Sequence, residues 1–217
     1  IELEASVASN KETVILPRLG YTMNIDSAFD NFTYYGRGPI DNYPDRKSGQ
    51  FIEQFTTKVG DEFVNFPKPQ DMGNHGDVRW CALTNNQGAG VAFIGSQHLS
   101  ASALFYTSLD FILAPHPYEL PAPKDIYLNL DVAVTGLGGN SCGQGAPLVH
   151  DRVAATQHNI GFVIRPLGQI SELAKVANIE ADGQKPLSIT RNRVGSLEIS
   201  TADKTAKILY TIGKSKK

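Results

Sequence analysis

Cysteine is scarce, with only Cys81 and Cys142 in 217 residues. Two thiols cannot make a disulfide framework, and neither lies at a ligand spacing from a histidine or the other cysteine. The five histidines, His75, His98, His116, His150 and His158, are equally scattered, so the pattern predicts no metal site in this chain. Charge of one sign is lacking too. Twenty Lys and Arg stand against 22 Asp and Glu, which gives a net charge of -2 and none of the cationic excess that nucleic-acid binding needs. Charged residues make up 19 % and hydrophobic ones 41 %, a balance that excludes a disordered chain. No apolar run approaches the ~20 residues of a membrane helix. Nucleic-acid and membrane partners drop out on these grounds.

Helical periodicity is almost missing as well. Ile1, Leu3, Ala5 and Val7 alternate with Glu2, Glu4 and Ser6, the period of two that puts one face of a strand inside. The same reading gives strands at about 13–16, 21–25, 32–35, 51–57, 78–84, 91–95 and 101–106. The cleanest, 126–134, sets Ile126, Leu128, Leu130, Val132 and Val134 on one face against Tyr127, Asn129 and Asp131. Ile160, Phe162 and Ile164 share the face of one more. Only 108–113 reads as a helix, with Ser108 as its N-cap and Pro115 as its stop. Strands separated by Gly, Pro, Asn and Asp clusters predict an all-β fold, a large antiparallel sandwich.

A strand at full strength from Ile1, with no methionine before it, points to a chain cut inside a sheet or to a removed leader. The compartment stays open between the periplasm and the cytoplasm of a bacterium. Composition divides the chain into a sandwich domain over 1–167, a polar linker over 168–185 and a β extension over 186–217. Three short strands in that tail cannot hold a core alone.

Two stretches concentrate polar groups on glycine-rich backbone. Tyr34-Tyr35-Gly36-Arg37-Gly38-Pro39-Ile40-Asp41-Asn42-Tyr43-Pro44-Asp45-Arg46 offers donors, acceptors and stacking rings, as a sugar-recognition loop would. An ordinary surface loop, with Asp and Arg capping nearby backbone, is the plain alternative. Gly136-Leu137-Gly138-Gly139-Asn140-Ser141-Cys142-Gly143 follows a long strand, but no GK[ST] sequence follows it, so a phosphate loop is excluded. Cys142 would be a nucleophile only beside a base, and a contact or structural role is the simpler reading. The single tryptophan, Trp80, falls by alternation on the face of Val78 and Ala82, which predicts packing rather than a sugar platform.

Four segments stand in the order seen in the β-galactosidases of glycoside hydrolase family 2. They are Leu16-Pro17-Arg18-Leu19-Gly20, Tyr35-Gly36-Arg37-Gly38-Pro39 through Asn42-Tyr43-Pro44-Asp45-Arg46, Gly76-Asp77-Val78-Arg79-Trp80, and Leu128-Asn129-Leu130-Asp131 followed by Thr135-Gly136-Leu137-Gly138-Gly139-Asn140-Ser141. Across about 15–166 the chain resembles the large C-terminal sandwich of those enzymes, which has the galactose mutarotase fold. The resemblance implies that the nucleophile and general acid are glutamates of a separate barrel domain, with no catalytic residue here. It implies no cofactor in this chain, a divalent or monovalent cation being held by the absent barrel. The implied partners are a β-galactoside and the other domains of the same polypeptide.

By the same resemblance, Gly38, Pro39, Tyr43, Asp45 and Arg46 belong to a loop at the mouth of the active site. Asp41, Asn42, Asn140 and Cys142 are implied substrate contacts, with Cys142 standing where some members carry a stacking tryptophan and Asp41 where some carry glutamate. The tail from about 187 to 212 is similar to the first strands of the small sandwich module at chitobiase C-termini. Two other classes remain to be weighed. A mutarotase-like epimerase needs a histidine within reach of a glutamate in a concave site, and a free-standing carbohydrate-binding module needs exposed aromatic platforms.

Overall fold

A computed structural model describes residues 1–9, 14–138 and 145–177, together with the backbone of two strands at 187–191 and 197–201. The chain divides into two compact units, Ile1–Ala177 and Asn178–Lys217. In the first unit the elements run β1 (Glu2–Val7), β2 (Ile15–Leu16), β3 (Arg18–Asp26), β4 (Asn31–Gly38), β5 (Phe51–Lys58), β6 (His75–Thr84), β7 (Gly90–Leu104), α1 (Ser108–Leu113), β8 (Asp125–Val134), β9 (Val153–Ala154), β10 (His158–Leu167) and α2 (Leu173–Ala177). In the second, β11 (Leu187–Arg191) pairs antiparallel with β12 (Leu197–Thr201).

One antiparallel sheet of eight strands organises the first unit, and β7 is its hinge. The two expected strands at 91–95 and 101–106 are this single 15-residue strand. Its first half pairs with β10, Val91 opposite Pro166 and Gly95 opposite Phe162. Its second half pairs with β8, Ser100 opposite Asp131 and Leu104 opposite Tyr127. Between the halves, Gly95 sits where a Cβ would lie 2.3 Å from the carbonyl oxygen of Gln97, so only glycine permits the bend. The sheet therefore forks into one arm of β10 and β1 and another of β8 and β3, with β6, β4 and β5 as the common base.

The arms close on one core. Tyr21 of β3 meets Phe162 of β10 edge to face, ring centres 5.7 Å apart. Ile126, Leu128 and Leu130 from β8 join Ile160 and Phe162 from β10 and Phe32 and Tyr34 from β4 in the same buried cluster. The all-β sandwich read from alternation is what the chain forms.

Three local readings change. The helix is at 108–113, but its N-cap is Thr107, whose hydroxyl accepts from the Asp110 amide while the Asp110 carboxylate accepts from the Thr107 amide at 2.7 Å. A threonine in extended conformation before the first turn satisfies two orphan amides, which Ser108 inside the helix cannot do. Register shifts on both sides of Val78 break the alternation of β6. Val78 turns into the main core, whereas Trp80 packs half-buried with Ala82, Ala92 and Leu173 on the opposite face. Residues 168–177, polar enough to suggest a linker, carry α2, whose Leu173 is buried in that second cluster.

Candidate functional site

The loop after β4 is built by its own side chains. Tyr34 donates its hydroxyl to the Pro39 carbonyl at 3.2 Å, just past Gly38. Tyr43 and Arg46 exchange backbone hydrogen bonds at 3.2 and 2.9 Å, so Pro44 and Asp45 form the tip of a tight turn. The Arg46 guanidinium lies over the Tyr43 ring and pairs with the Asp41 carboxylate. That pairing leaves Asp41 almost buried.

Asn42 bolts this loop to the start of β6. Its Nδ2 donates to the carbonyls of Arg37 at 2.8 Å and Ile40 at 3.1 Å, and its Oδ1 accepts from the Gly76 amide at 2.9 Å. Its backbone amide donates to the Asn74 carbonyl, and its own carbonyl accepts from Asn74 Nδ2 at 2.7 Å. Both amide hydrogens of Asn42 are therefore spent inside the protein, and the side chain holds the loop's shape rather than offering a free donor.

Below the turn is a polar cluster, buried at Tyr43 and Asp131 and open to solvent at Asp71, that the sequence alone does not display. Arg18 Nη2 grips both carboxylate oxygens of Asp71, at 3.1 and 2.9 Å, and Arg18 Nη1 lies 3.4 Å from Asp131 Oδ2. Burial pushes the Asp131 carboxyl up to about 6 against the opposing pull of Arg18. Burial, with Asp71 and Asp41 adding to it, also drives the Tyr43 phenol well above its ordinary value. Among the described residues, neither Tyr43 Oη nor Asp131 Oδ2 has a hydrogen-bond partner. A carboxylate in the loop 67–74 was the missed signal: Asp71 lies 53 positions from Arg18, and no local pattern links them.

The second loop is tied to the first. Asp45 accepts from the Leu137 amide at 3.0 Å and the Gly138 amide at 2.8 Å. Gly136 makes this approach possible, because a Cβ there would sit 2.5 Å from Asp45 Oδ2. Thr135 is fixed in turn by the Leu16 and Pro17 carbonyls, at 2.7 and 2.8 Å. Arg37 pairs with Asp77 at 2.7 Å. The four distant sequence segments thus form one wired assembly, with Arg18 on Asp131, Arg37 on Asp77, Asn42 on Gly76 and Asp45 on Gly138. Asn140 and Cys142 lie outside the described residues.

Beside the loop, a groove of about 270 Å³ opens between Tyr43, the start of β6, the bend of β7 at His98 and Ser100, and Arg152. Of its carboxylates, Asp77 is engaged by Arg37, and Asp151 has the exposed His150 ring 3.3 Å away. Such a lining can hold and orient a polar ligand through hydrogen bonds.

A histidine does meet a glutamate elsewhere. His75 Nε2 lies 2.9 Å from Glu62 Oε2, and Glu62 lines a second groove of about 300 Å³. His75 itself is fully enclosed, with its ring stacked 4.1 Å from that of Tyr34, so it cannot touch a ligand in that groove. Among the described residues no three His, Cys, Asp or Glu side chains cluster as metal ligands would.

Comparison with known proteins gives this assembly a context. The family model described as "Beta galactosidase small chain" matches residues 1–164. A β-galactosidase of Priestia megaterium is 33 % identical over 168 residues, 77 % of this chain and 16 % of that protein. One from Arthrobacter sp. (strain B7) is 31 % identical over 135 residues, covering 60 % of this chain and 13 % of the relative. One from the yeast Kluyveromyces lactis is 31 % identical over 146 residues, 67 % of this chain and 14 % of its own length. The chain spans about a sixth of the length of the curated relatives it matches. The matched span takes in all four wired segments and both loops, and the chain belongs to the β-galactosidase small chain family.

Proposed function

We propose that the chain is a domain of a longer β-galactosidase, where it walls the active site and positions the substrate. The observation that carries this reading is the joining of the 38–46 loop to the Gly136–Gly138 segment by Asp45, inside the stretch matched by the family. A 38–46 loop locked to Gly136–Gly138 is a preorganised surface, which lowers a barrier by holding the sugar rather than by moving protons. The parent enzyme cleaves terminal β-galactosides with retention. A carboxylate from another domain attacks the anomeric carbon, a carboxylic acid protonates the leaving oxygen, and water then releases the sugar. Asp41 and Cys142 are assigned to the substrate side, and any cation the parent uses belongs to the barrel. The enclosure of His75 favours this reading over a free-standing epimerase.

The test begins with the native polypeptide, detected in extract with an antibody against this chain. A band several times 23.5 kDa that co-elutes with galactosidase activity supports the domain reading, and a single band near 23.5 kDa overturns it. In the intact enzyme, Cys142→Ala and Asp41→Ala are then expected to raise KM for aryl galactosides more than they lower kcat. Unchanged kinetics in both would remove these residues from the substrate side.

A further inference from the structure

α1 is a six-residue helix with apolar groups on two opposite sides. Phe111 is the inner anchor, buried with Met72 and Leu104. On the outer side Leu109, Ile112 and Leu113, spaced i, i+3 and i+4, are 60, 71 and 69 % exposed. Tyr118, five residues on, is 81 % exposed. The only charged residue of the helix, Asp110, is used by the cap at its N-terminus. At its C-terminus, Lys68 donates to the carbonyls of Phe111 at 3.0 Å and Ile112 at 3.3 Å.

A helix this short is marginal on its own. Here it is capped at both ends and pinned by a phenylalanine, and the result is an aliphatic stripe held rigidly in the open. A helix whose outer face meets water normally carries charge there, and one that is apolar all round belongs to an interior.

We infer that the Leu109, Ile112 and Leu113 face of α1 is the seat of another domain of the same polypeptide. This rests on the reading of the chain as part of a longer enzyme. Two facts select that occupant. The relatives are about six times longer than the matched stretch, so most of such a polypeptide lies outside this chain. The second is size: three aliphatic side chains and a tyrosine offer apolar area on the order of 400 Å², enough for an interface between domains of one chain, which begins at about 300 Å² a side. A tethered neighbour is held at high effective concentration and needs no more than that.

Ile112→Cys, and separately Leu109→Cys, placed in the intact parent enzyme and in the 217-residue chain, test this through the rate of maleimide labelling at that position, read by peptide mapping so that the native thiols Cys81 and Cys142 do not count. The expected result is rapid labelling of the isolated chain and at least tenfold slower labelling of the native parent, restored by urea. Equally rapid labelling in both overturns the interface while leaving the domain reading intact. Slow labelling of the isolated chain that speeds up on dilution assigns the face to a second copy. Slow labelling indifferent to dilution assigns it to residues 178–217, and either result overturns the proposal. A native polypeptide no longer than this chain overturns both the interface and the domain reading beneath it.

Discussion

Asp45 and Gly138 are 93 residues apart in sequence, yet the carboxylate of one accepts the amide hydrogen of the other at 2.8 Å. Together with the bond to Leu137, this makes Asp45 the point at which one loop sets the origin of the next. In the intact enzyme, Asp45→Ala is expected to lower kcat/KM for a galactoside by roughly tenfold, about 1.4 kcal/mol, since the loop it holds would lose its position. Asp45→Asn, which keeps one acceptor, should fall between. Because Asp45 is exposed, the thermal midpoint should move by only a few degrees, and a loss of activity matched by a large loss of stability would refute the positioning role.

Asn42 acts differently, because its side chain is buried and satisfies three backbone groups at once. Asn42→Ala removes three hydrogen bonds from part-buried backbone groups, and a buried group left without a partner costs about 1–3 kcal/mol. Urea denaturation of the variant should show a loss of at least about 2 kcal/mol. A near-neutral result would mean that the loop is not held through this residue.

Asp131 gives stability a pH dependence of unusual sign for a carboxylate. Its folded value, about 6, lies above the unfolded value near 3.8, so the folded state binds more protons between these limits. The contribution of this group to stability is greatest below pH 4, declines through that window and is flat above it. Urea midpoints measured from pH 4 to 7.5 should carry this falling component in the wild type and lose it in Asp131→Asn. Parallel profiles for the two proteins would exclude it.

Cys81 is enclosed in the core, and burial pushes its thiol up to about 12. Thiolate is the reactive form, so Cys81 should resist thiol reagents at pH 8 until the protein unfolds. Peptide mapping after labelling with and without urea measures this directly.

Much of the fold was legible because alternation is a local signal. Ile126, Leu128 and Leu130 appear as a buried face from spacing alone, and the structure buries all three. The errors came where the backbone departs from regular pleating. The bulges beside Val78 set it and Trp80 on opposite faces, and the Gly95 bend joins two apparent strands into one. The candidate site was legible as a composition of loops, since glycine beside Asp, Asn, Arg and Tyr marks backbone that presents polar groups. Its wiring was not, because pairs such as Arg18 with Asp71 and Arg37 with Asp77 are set by tertiary approach, which no spacing rule encodes.

The pairing of β1 with β10 aligns Glu2 with Val163, so the earliest strand is completed by nearly the last of its unit. A ribosome delivering this chain releases β1 long before its neighbour exists. The backbone groups that β1 presents to β10 must wait while some 150 residues emerge. Closure of the sandwich is thus a late event in synthesis, with a long interval in which a chaperone, or a stray strand from another nascent chain, can occupy the vacant edge.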